Sequence, residues 1–212
     1  LPSVLEDGGL SGELMLGAVP TTLTGLVPLA VSSLKKSYPK LIARIQPGLT
    51  NDLTLQLERG EIDAAIITRP SHIPKGQIWS EVAKEEFQLL AAQDTRSDDP
   101  IQLLKDNPFI RFSRNAVVGS MIESWLQEHK IKVSDAMELE GLEAISSMVL
   151  CNMGVAIAPR RCVQTMFPLP LKRLSLGPDA PYRTLGVICR QDSAKTRAIE
   201  EVVARLHQAV EV

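Results

Sequence analysis

The sequence has few aromatic residues, few cysteines and no excess of charge, and these shortages exclude several classes of protein. Phe, Trp and Tyr make up 4% of the 212 residues, too few for the stacking platforms that bind single-stranded nucleic acid. The formal net charge is −2, so the chain has no general electrostatic attraction to DNA. No apolar run approaches the length of a membrane span, and no basic-then-apolar signal pattern opens the sequence. Three cysteines, an odd number, favour a reducing compartment over a disulfide framework.

Familiar catalytic and cofactor motifs are also missing. The chain contains neither a G-x-G-x-x-G nor a P-loop sequence for nucleotides, and it has no G-x-S-x-G turn, no H-E-x-x-H and no C-x-x-C. Its three histidines lie far apart in the sequence, at His72, His129 and His207. We therefore predict a binding protein that is not an enzyme and that takes no cofactor and no metal ion.

Apolar residues recur with alternating strand and helix periods, and their order predicts an α/β protein with two similar lobes. The first half is predicted to form strands over 13–19, 41–46 and 62–68, with one helix beginning near Thr24 and another capped by Thr50 or Asn51. The second half is predicted to form strands over 109–112, 136–140 and 155–158, with helices over 118–129 and 142–151. Each β-α-β-α-β order is typical of a parallel sheet.

The C-terminal segment completes the predicted topology. A strand over 182–190 and an amphipathic helix capped by Ser193 end the chain, and this helix must dock on an existing lobe because it cannot bury its apolar face alone. The predicted lobes are 12–84 plus 186–212 and 85–185, with the chain crossing between them near 85–92 and 182–190. Parallel sheets bind ligands beyond the carboxyl ends of their strands, so we expect a small ligand in a cleft between the lobes.

Polar residues follow the predicted strands at the points where such a ligand would bind. Hydroxyl, amide and guanidinium groups hold polar or anionic ligands by hydrogen bonds. The candidates are Thr21, Thr22, Thr50, Asn51 and Arg69 in the first lobe and Ser113, Arg114, Asn115 and Gly141 in the second. Each also has a structural interpretation: helix capping for the hydroxyl and amide residues, a solvated surface position for the arginines, and a turn with positive φ for the glycine. Glu140 disfavours an anionic ligand unless its charge is paired.

The cysteines and one proline carry further expectations. Cys151 lies on a predicted helix with Met148 and Val149, and we expect it to pack in the interior. Cys162 and Cys189 have arginine neighbours in the sequence, and a redox-sensing role would require an exposed thiol of low pKa. Pro159 is predicted to open a short helix.

Several segments resemble landmarks of one protein family, the LysR-type transcriptional regulators. The matching segments are GELMLG at 12–17, LVPL at 26–29 with YP at 38–39, GLT at 48–50 with LERGEIDAAI at 57–66, PFIR at 108–111, and MGVAIAP at 153–159. The longest of them resembles the family pattern G-x-T…L-x-x-G-E-[IL]-D-x-A-I. Their order and spacing match the family over about residues 12–210, and the chain resembles the effector-binding region of such a regulator.

The resemblance implies a fold like the type II periplasmic binding proteins, with two Rossmann-like subdomains joined by crossover strands. It implies that Thr21 and Thr22 lie where family members bind their effector, and that residues 1–11 are the remnant of a linker or hinge. It also implies a cytoplasmic regulator with no membrane contact that forms a homodimer or homotetramer. That regulator would bind DNA only through an N-terminal winged helix-turn-helix outside this chain, and a small-molecule effector would change its arrangement on promoter DNA.

Two other functions stay open at this point. A free-standing solute-binding protein of a transporter would share the fold class, and its gene would encode a signal peptide in place of a helix-turn-helix. An enzyme on this fold, such as a deaminase or a dehydratase, would need a convergent acid/base pair, and the sequence offers none that can be named.

Overall fold

The computed structural model describes residues 5–6, 9–164 and 167–211, and these residues belong to two compact units. Unit 1 comprises Leu1–Ala83 and Thr184–Val212, and unit 2 comprises Lys84–Arg183. Of the linker remnant predicted over 1–11, residues 1–4 and 7–8 lie outside the described residues. None of the helices in the described ranges combines the length and the hydropathy of a membrane span.

The secondary structure alternates strands and helices along most of the chain. In chain order the elements are β1 (Leu5–Glu6), β2 (Gly9–Leu10), β3 (Gly12–Ala18), a 3-10 helix (Pro20–Thr22), α1 (Leu26–Ser37), β4 (Leu41–Pro47), α2 (Thr50–Glu58), β5 (Ala64–Thr68), β6 (Gln77–Ala92), α3 (Pro100–Asp106), β7 (Pro108–Phe112), α4 (Val117–Glu128), β8 (Ser134–Leu139), α5 (Leu142–Leu150), β9 (Ala156–Pro159), β10 (Leu171–Ser175), β11 (Tyr182–Arg190) and α6 (Thr196–Val210). The boundaries between the units fall inside β6 and β11.

Unit 1 is built on a sheet in which β3 lies between two parallel neighbours, β4 and β5. All five residues of β5 are buried, as expected for a short apolar strand in the middle of a sheet that is covered on both faces. β11 pairs with β5 in the antiparallel direction. Helices α1 and α6 pack on each other and bury apolar stripes that include Leu34 and Leu206. The carboxyl ends of β3, β4 and β5 therefore lie side by side at one edge of the unit.

A half-buried side chain in the GEID segment, that of Asp63, attaches α6 to this sheet. One carboxylate oxygen of Asp63, Oδ2, accepts the backbone N–H of Met15 at 2.7 Å and the ammonium group of Lys195 at 2.8 Å. Lys195 is the residue before the first turn of α6, so the contact fixes the start of that helix against β3. A charged hydrogen bond of this kind is stronger than a neutral one.

Unit 2 combines a parallel strand pair with an antiparallel set. β7 runs parallel to β8, and Phe109 in β7 also bridges to Val155 in the parallel direction. The second half of β6 pairs in the antiparallel direction with both β9 and β10. The core of unit 2 includes the fully buried rings of Phe87 and Phe109. The second β-α-β-α order is thus present in β7, α4, β8 and α5.

Glu85 on β6 and Arg183 on β11 form an ion pair inside unit 2. The Arg183 Nε and Nη2 atoms donate to Glu85 Oε2 at 2.8 and 2.6 Å, and the backbone N–H of Cys162 donates to Glu85 Oε1 at 2.7 Å. The side chains are only 3% and 1% exposed. Because two buried charges face each other and both carboxylate oxygens accept hydrogen bonds, the desolvation cost is offset only while the pair is intact.

The structure corrects several sequence predictions about local elements. Helix α3 and strand β10 were not predicted, and β6 begins eight residues before the predicted crossover. Pro159 is the last residue of β9, and residues 160–164 contain no helix. The predicted helix caps are wrong as well. The N-cap residues of α1, α2, α4 and α6 are Gly25, Leu49, Ala116 and Lys195, and no side chain of theirs makes a capping hydrogen bond.

Candidate functional site

Three buried threonines lie where the parallel strands of unit 1 end. Thr22 follows β3, Thr50 follows β4, and Thr68 is the last residue of β5; their exposed fractions are 2%, 3% and 2%. Backbone hydrogen bonds hold these ends together, from Val19 N to the Ile66 carbonyl at 3.0 Å and from Gly48 N to the Ala18 carbonyl at 3.1 Å. The strand ends therefore bring two of the predicted residues together with a third, Thr68, that sequence reasoning missed.

The backbone holds two hydroxyl groups of this threonine cluster, defined as Thr22, Thr50 and Thr68, in place. Thr22 Oγ1 donates to the Val19 carbonyl at 2.8 Å. Thr50 Oγ1 lies 3.5 Å from the Thr68 carbonyl oxygen, a long hydrogen bond. A hydroxyl that donates to a carbonyl keeps two lone pairs, which can accept hydrogen bonds from a ligand. Thr21 is also buried, beside Thr22 in the 3-10 helix.

Two helices begin next to the threonine cluster with no capping side chain. The N-cap residues of α1 and α2, Gly25 and Leu49, make no side-chain capping bond, and the first turn of α1 holds no acidic residue. The first N–H groups of a helix have no partner within the helix, and the helix dipole makes this end positive. Together with the hydroxyl groups, this end of unit 1 offers both donors and acceptors to a polar or anionic group.

The other predicted residues of unit 1 are more exposed than the threonines. Asn51 is an exposed residue in the first turn of α2. Arg69 directly follows β5, and its guanidinium carbon lies 5.8 Å from the centre of the Trp79 ring. This cation–π contact positions an exposed guanidinium group beyond the end of β5.

The predicted arginine of unit 2 is already paired with acidic side chains. Arg114 Nη1 lies 2.7 Å from Glu138 Oε2, and its Nη2 lies 3.1 Å from Asp135 Oδ2. The backbone N–H of Arg114 also donates to Glu138 Oε1 at 2.8 Å. The neighbouring buried Arg111 donates to Asp135 and contacts Glu123. A ligand carboxylate would have to displace these partners, so Arg114 is a poorer anion receptor than the sequence indicated.

The remaining predicted residues of unit 2 occupy two turns. Ser113 is buried at the end of β7, and its Oγ accepts the backbone N–H of Asn115 at 3.3 Å, while Asn115 itself is exposed. Gly141 is the N-cap residue of α5 with φ +93°. That backbone conformation favours glycine, so the structural interpretation of Gly141 holds whether or not it contacts a ligand.

The cysteines differ from the expectation for a redox sensor. Cys151 is exposed and does not pack in the interior as predicted, because it follows the last residue of α5. Burial raises the pKa of the Cys162 thiol to about 12, with a further contribution from the nearby Glu85 carboxylate. Burial also raises the pKa of Cys189. A raised pKa reduces the thiolate fraction, so neither of these two thiols has the low pKa that peroxide sensing requires.

Alkylation should therefore distinguish the three cysteines. At pH 8 a thiol with a pKa of about 12 is ionised in only about one molecule in ten thousand, and the thiolate is the reactive form. We expect iodoacetamide to label Cys151 first and Cys162 last, as measured by mass spectrometry of the folded protein over time. Labelling in denaturant serves as the control, since all three thiols should then react at similar rates. Faster labelling of Cys162 than of Cys151 in the folded protein would contradict the burial described here.

Among residues 5–6, 9–164 and 167–211, no group of three His, Cys, Asp or Glu side chains could hold a metal ion.

Comparison with known proteins identifies the family. The sequence model of the LysR substrate binding domain matches residues 7–211. The chain belongs to this family. The match covers the strand ends that carry the threonine cluster and both units, and it confirms the family that the short motifs indicated.

Two curated relatives of the LysR-domain chain are transcriptional regulators. The HTH-type regulator SoxR of Arthrobacter sp. (strain TE1826) is 25% identical over 202 residues, which are 95% of this chain and 68% of the relative. The HTH-type regulator CzcR of Bacillus anthracis is 28% identical over 159 residues, which are 75% of this chain and 53% of the relative. The aligned part is thus only about half of CzcR. These relatives do not favour the alternative of a transporter's solute-binding protein.

Solved structures confirm the predicted fold class. The reduced regulatory domain of OxyR2 from Vibrio vulnificus superposes with a TM-score of 0.82 at 18% identity, covering 97% of this chain and 99% of that domain. The effector-binding domain of QuiR, solved in complex with shikimate, gives a TM-score of 0.79 at 20% identity over 93% of this chain and 98% of that domain. The fold is α/β, with two Rossmann-like subdomains joined by crossover strands as in type II periplasmic binding proteins.

Proposed function

We propose that this chain is the ligand-sensing domain of a LysR-type transcriptional regulator and that it binds a small polar or anionic metabolite without catalysing a reaction. The observation that carries the proposal is the threonine cluster of unit 1, which lies at the carboxyl ends of parallel strands beside two helix N-termini. Ligands of α/β sheets bind at such strand ends. The regulator relatives support the regulatory role, and the QuiR effector-binding domain, solved in complex with shikimate, supports a small organic molecule as the ligand.

The chemistry of the cluster favours a ligand with a carboxylate or several hydroxyl groups. Backbone N–H groups at the helix starts donate to an anion, and threonine hydroxyls that donate to the backbone accept from hydroxyl groups of a ligand. Arg69 would add a positive charge from the end of β5. We keep Asn51, Ser113, Arg114, Asn115 and Gly141 as proposed contacts of lower rank, because they are exposed, already paired or constrained by the backbone.

The rest of the proposal concerns the whole regulator. We propose that it acts in the cytoplasm as a homodimer or homotetramer, contacts DNA through a segment outside this chain, and changes its arrangement on DNA when the ligand binds. The ligand must then bind one arrangement better than the other, since only differential affinity shifts an equilibrium.

An exposed edge on unit 1 supports the oligomer. Ile42 and Ile45 on β4 are exposed beside a groove of about 170 Å³. The groove is lined by Val31, Leu34, Lys35, Leu41, Ile42 and Ala43. Among the described residues β4 is the edge strand of its sheet, and apolar residues on an edge strand are typical of an interaction surface.

Substitution of the threonines tests the ligand site. A metabolite that saturates the site at about 100 times its Kd stabilises the fold by about 2.7 kcal/mol, which raises the melting temperature of a chain of this size by about 5–10 °C. We expect Thr22→Val and Thr50→Val to abolish most of that shift, because valine keeps the shape and removes the hydroxyl. The measurement is a thermal-shift screen of small carboxylates, sugar acids and neutral polyols on all variants.

Thr54→Val is the matched control. Thr54 lies one turn further along α2, and its Oγ1 donates to the Thr50 carbonyl at 2.8 Å, so the variant loses a similar hydrogen bond away from the strand ends. It should respond to the metabolite like the parent chain. If Thr22→Val and Thr50→Val also respond normally, the site assignment is wrong.

A further inference from the structure

Three sulfur-bearing side chains surround the C-terminal end of α5 in unit 2. Met148 and Met153 are 36% and 49% exposed, and Cys151 between them is an exposed free thiol. Methionine side chains are usually buried because they are apolar. Two exposed methionines and an exposed cysteine within six residues therefore call for an explanation other than core packing.

The backbone at this helix end brings the three residues to one place. The N–H of Met153 donates to the Met148 carbonyl at 3.1 Å, and the N–H of Asn152 donates to the Val149 carbonyl at 2.9 Å. Asn152 has φ +58°. These are the two hydrogen bonds and the left-handed residue of a Schellman motif, in which the residues in the positions of Met148 and Met153 approach each other. Cys151 follows Met148 by three residues, a spacing that places both on the same helix face.

The ligand chemistry of this sulfur turn, defined as Met148, Cys151 and Met153, matches a soft monovalent cation. Thiolate and thioether sulfur atoms select Cu(I) over harder metal ions. The helix dipole makes the C-terminal end of α5 negative, which favours a cation over an anion at this point.

We propose that the sulfur turn is a binding site for Cu(I). Cys151 binds as the thiolate, so its S–H bond breaks, the proton passes to solvent and an S–Cu bond forms, while the thioethers of Met148 and Met153 complete a three-coordinate site. No oxidation or reduction is involved. The site lies in unit 2, is separate from the threonine cluster, and does not depend on the function proposed for that cluster.

Leucine variants separate metal binding from the apolar contact that often accompanies a Schellman motif. Met148→Leu and Met153→Leu preserve the apolar contact and remove the sulfur ligands. Under anaerobic conditions, Cu(I) is titrated into the full chain in competition with bicinchoninate. We expect one Cu(I) per chain, an affinity that falls by about tenfold or more in the double variant, and loss of this site in Cys151→Ser.

Met137→Leu is the control, since Met137 is a half-buried methionine on β8 in the same unit, and it should leave the Cu(I) affinity unchanged. Far-UV circular dichroism and the melting temperature check that each variant is folded, and the single leucine variants replace the double variant if it is not. Three results would overturn the proposal. The first is a chain that does not compete with bicinchoninate for Cu(I). The second is an unchanged Cu(I) affinity in the leucine variants, which would mean binding by Cys151 alone, and the third is an unchanged affinity in Cys151→Ser, which would place the metal at Cys162 or Cys189.

Discussion

Arg183→Met is expected to lower the free energy of unfolding by about 3–5 kcal/mol, because it leaves the buried carboxylate of Glu85 without its cation. Two donors of the guanidinium group lie 2.6 and 2.8 Å from Glu85 Oε2, and the side chains are 1% and 3% exposed. Urea unfolding followed by circular dichroism measures the loss directly.

A double-mutant cycle shows whether the loss comes from the unpaired charge. Glu85→Gln alone leaves Arg183 charged and buried, whereas the double variant removes both charges. We therefore expect the double variant to lose about 2 kcal/mol less than the sum of the two single variants. The exposed pair of Arg44 and Glu13, which is 2.7 Å apart with side chains 58% and 51% exposed, is the control. Arg44→Met should leave the urea midpoint of unfolding close to that of the parent chain. If the losses of the two single variants at the buried pair simply add in the double variant, Glu85 and Arg183 are not coupled.

The fold could be predicted where apolar periodicity alone decides the structure. The strand predicted over 62–68 is observed as Ala64–Thr68 with every residue buried, and the helix predicted over 118–129 is observed as Val117–Glu128. Helix α3 was missed because it is only seven residues long and buries just Leu103 and Leu104. Its signal was the Asp99-Pro100 pair, since the Asp99 side chain accepts the N–H groups of Ile101 and Gln102 and proline suits the first helical position.

Capping was predicted wrongly because a hydroxyl group before a helix has competing partners. The Ser113 hydroxyl accepts the N–H of Asn115 in the turn before α4, and the Ser193 hydroxyl accepts the N–H of Lys195 before α6. Both hydrogen bonds belong to local turns, which short polar side chains form as readily as they form helix caps. Residue type therefore located the turns, while the exact first residue of each helix depended on the packing of its apolar face.

The candidate site could be predicted in outline because strand order determines which loops share an edge. Thr22 and Thr50 follow strands that the β-α-β-α-β order makes neighbours, and the structure places both strand ends next to Thr68. The pairing of Arg114 with Glu138 and Asp135 could not be predicted, because it depends on the register of β8 against β7, which contains an irregularity after Phe109. Strand order can be inferred from a sequence, whereas register at a single side chain requires coordinates.

Gly119→Ala in α4 is expected to destabilise unit 2. A Cβ atom on Gly119 would lie 1.9 Å from the Ser113 carbonyl oxygen and 2.8 Å from that of Phe112. Both neighbours are backbone atoms at the end of β7, so no side-chain rotation can relieve the clash. Moving α4 away from β7 costs about 1–3 kcal/mol as overpacking, or more where the backbone itself must move.

Helix propensity acts in the opposite direction, so the sign of the stability change tests the close contact. Alanine is favoured over glycine inside a helix by about 1 kcal/mol, so propensity alone predicts that Gly119→Ala raises the stability. We expect the clash to dominate. An overpacking cost at the upper end, about 3 kcal/mol, less about 1 kcal/mol of helix propensity leaves a net loss of about 2 kcal/mol and a melting temperature lower by about 4–8 °C. Gly9→Ala is the control, because its Cβ would meet no atom within 4 Å, and its melting temperature should stay near that of the parent chain. A rise in the melting temperature of Gly119→Ala would mean that α4 does not approach the Ser113 carbonyl as closely as described, since only that contact makes the sign negative.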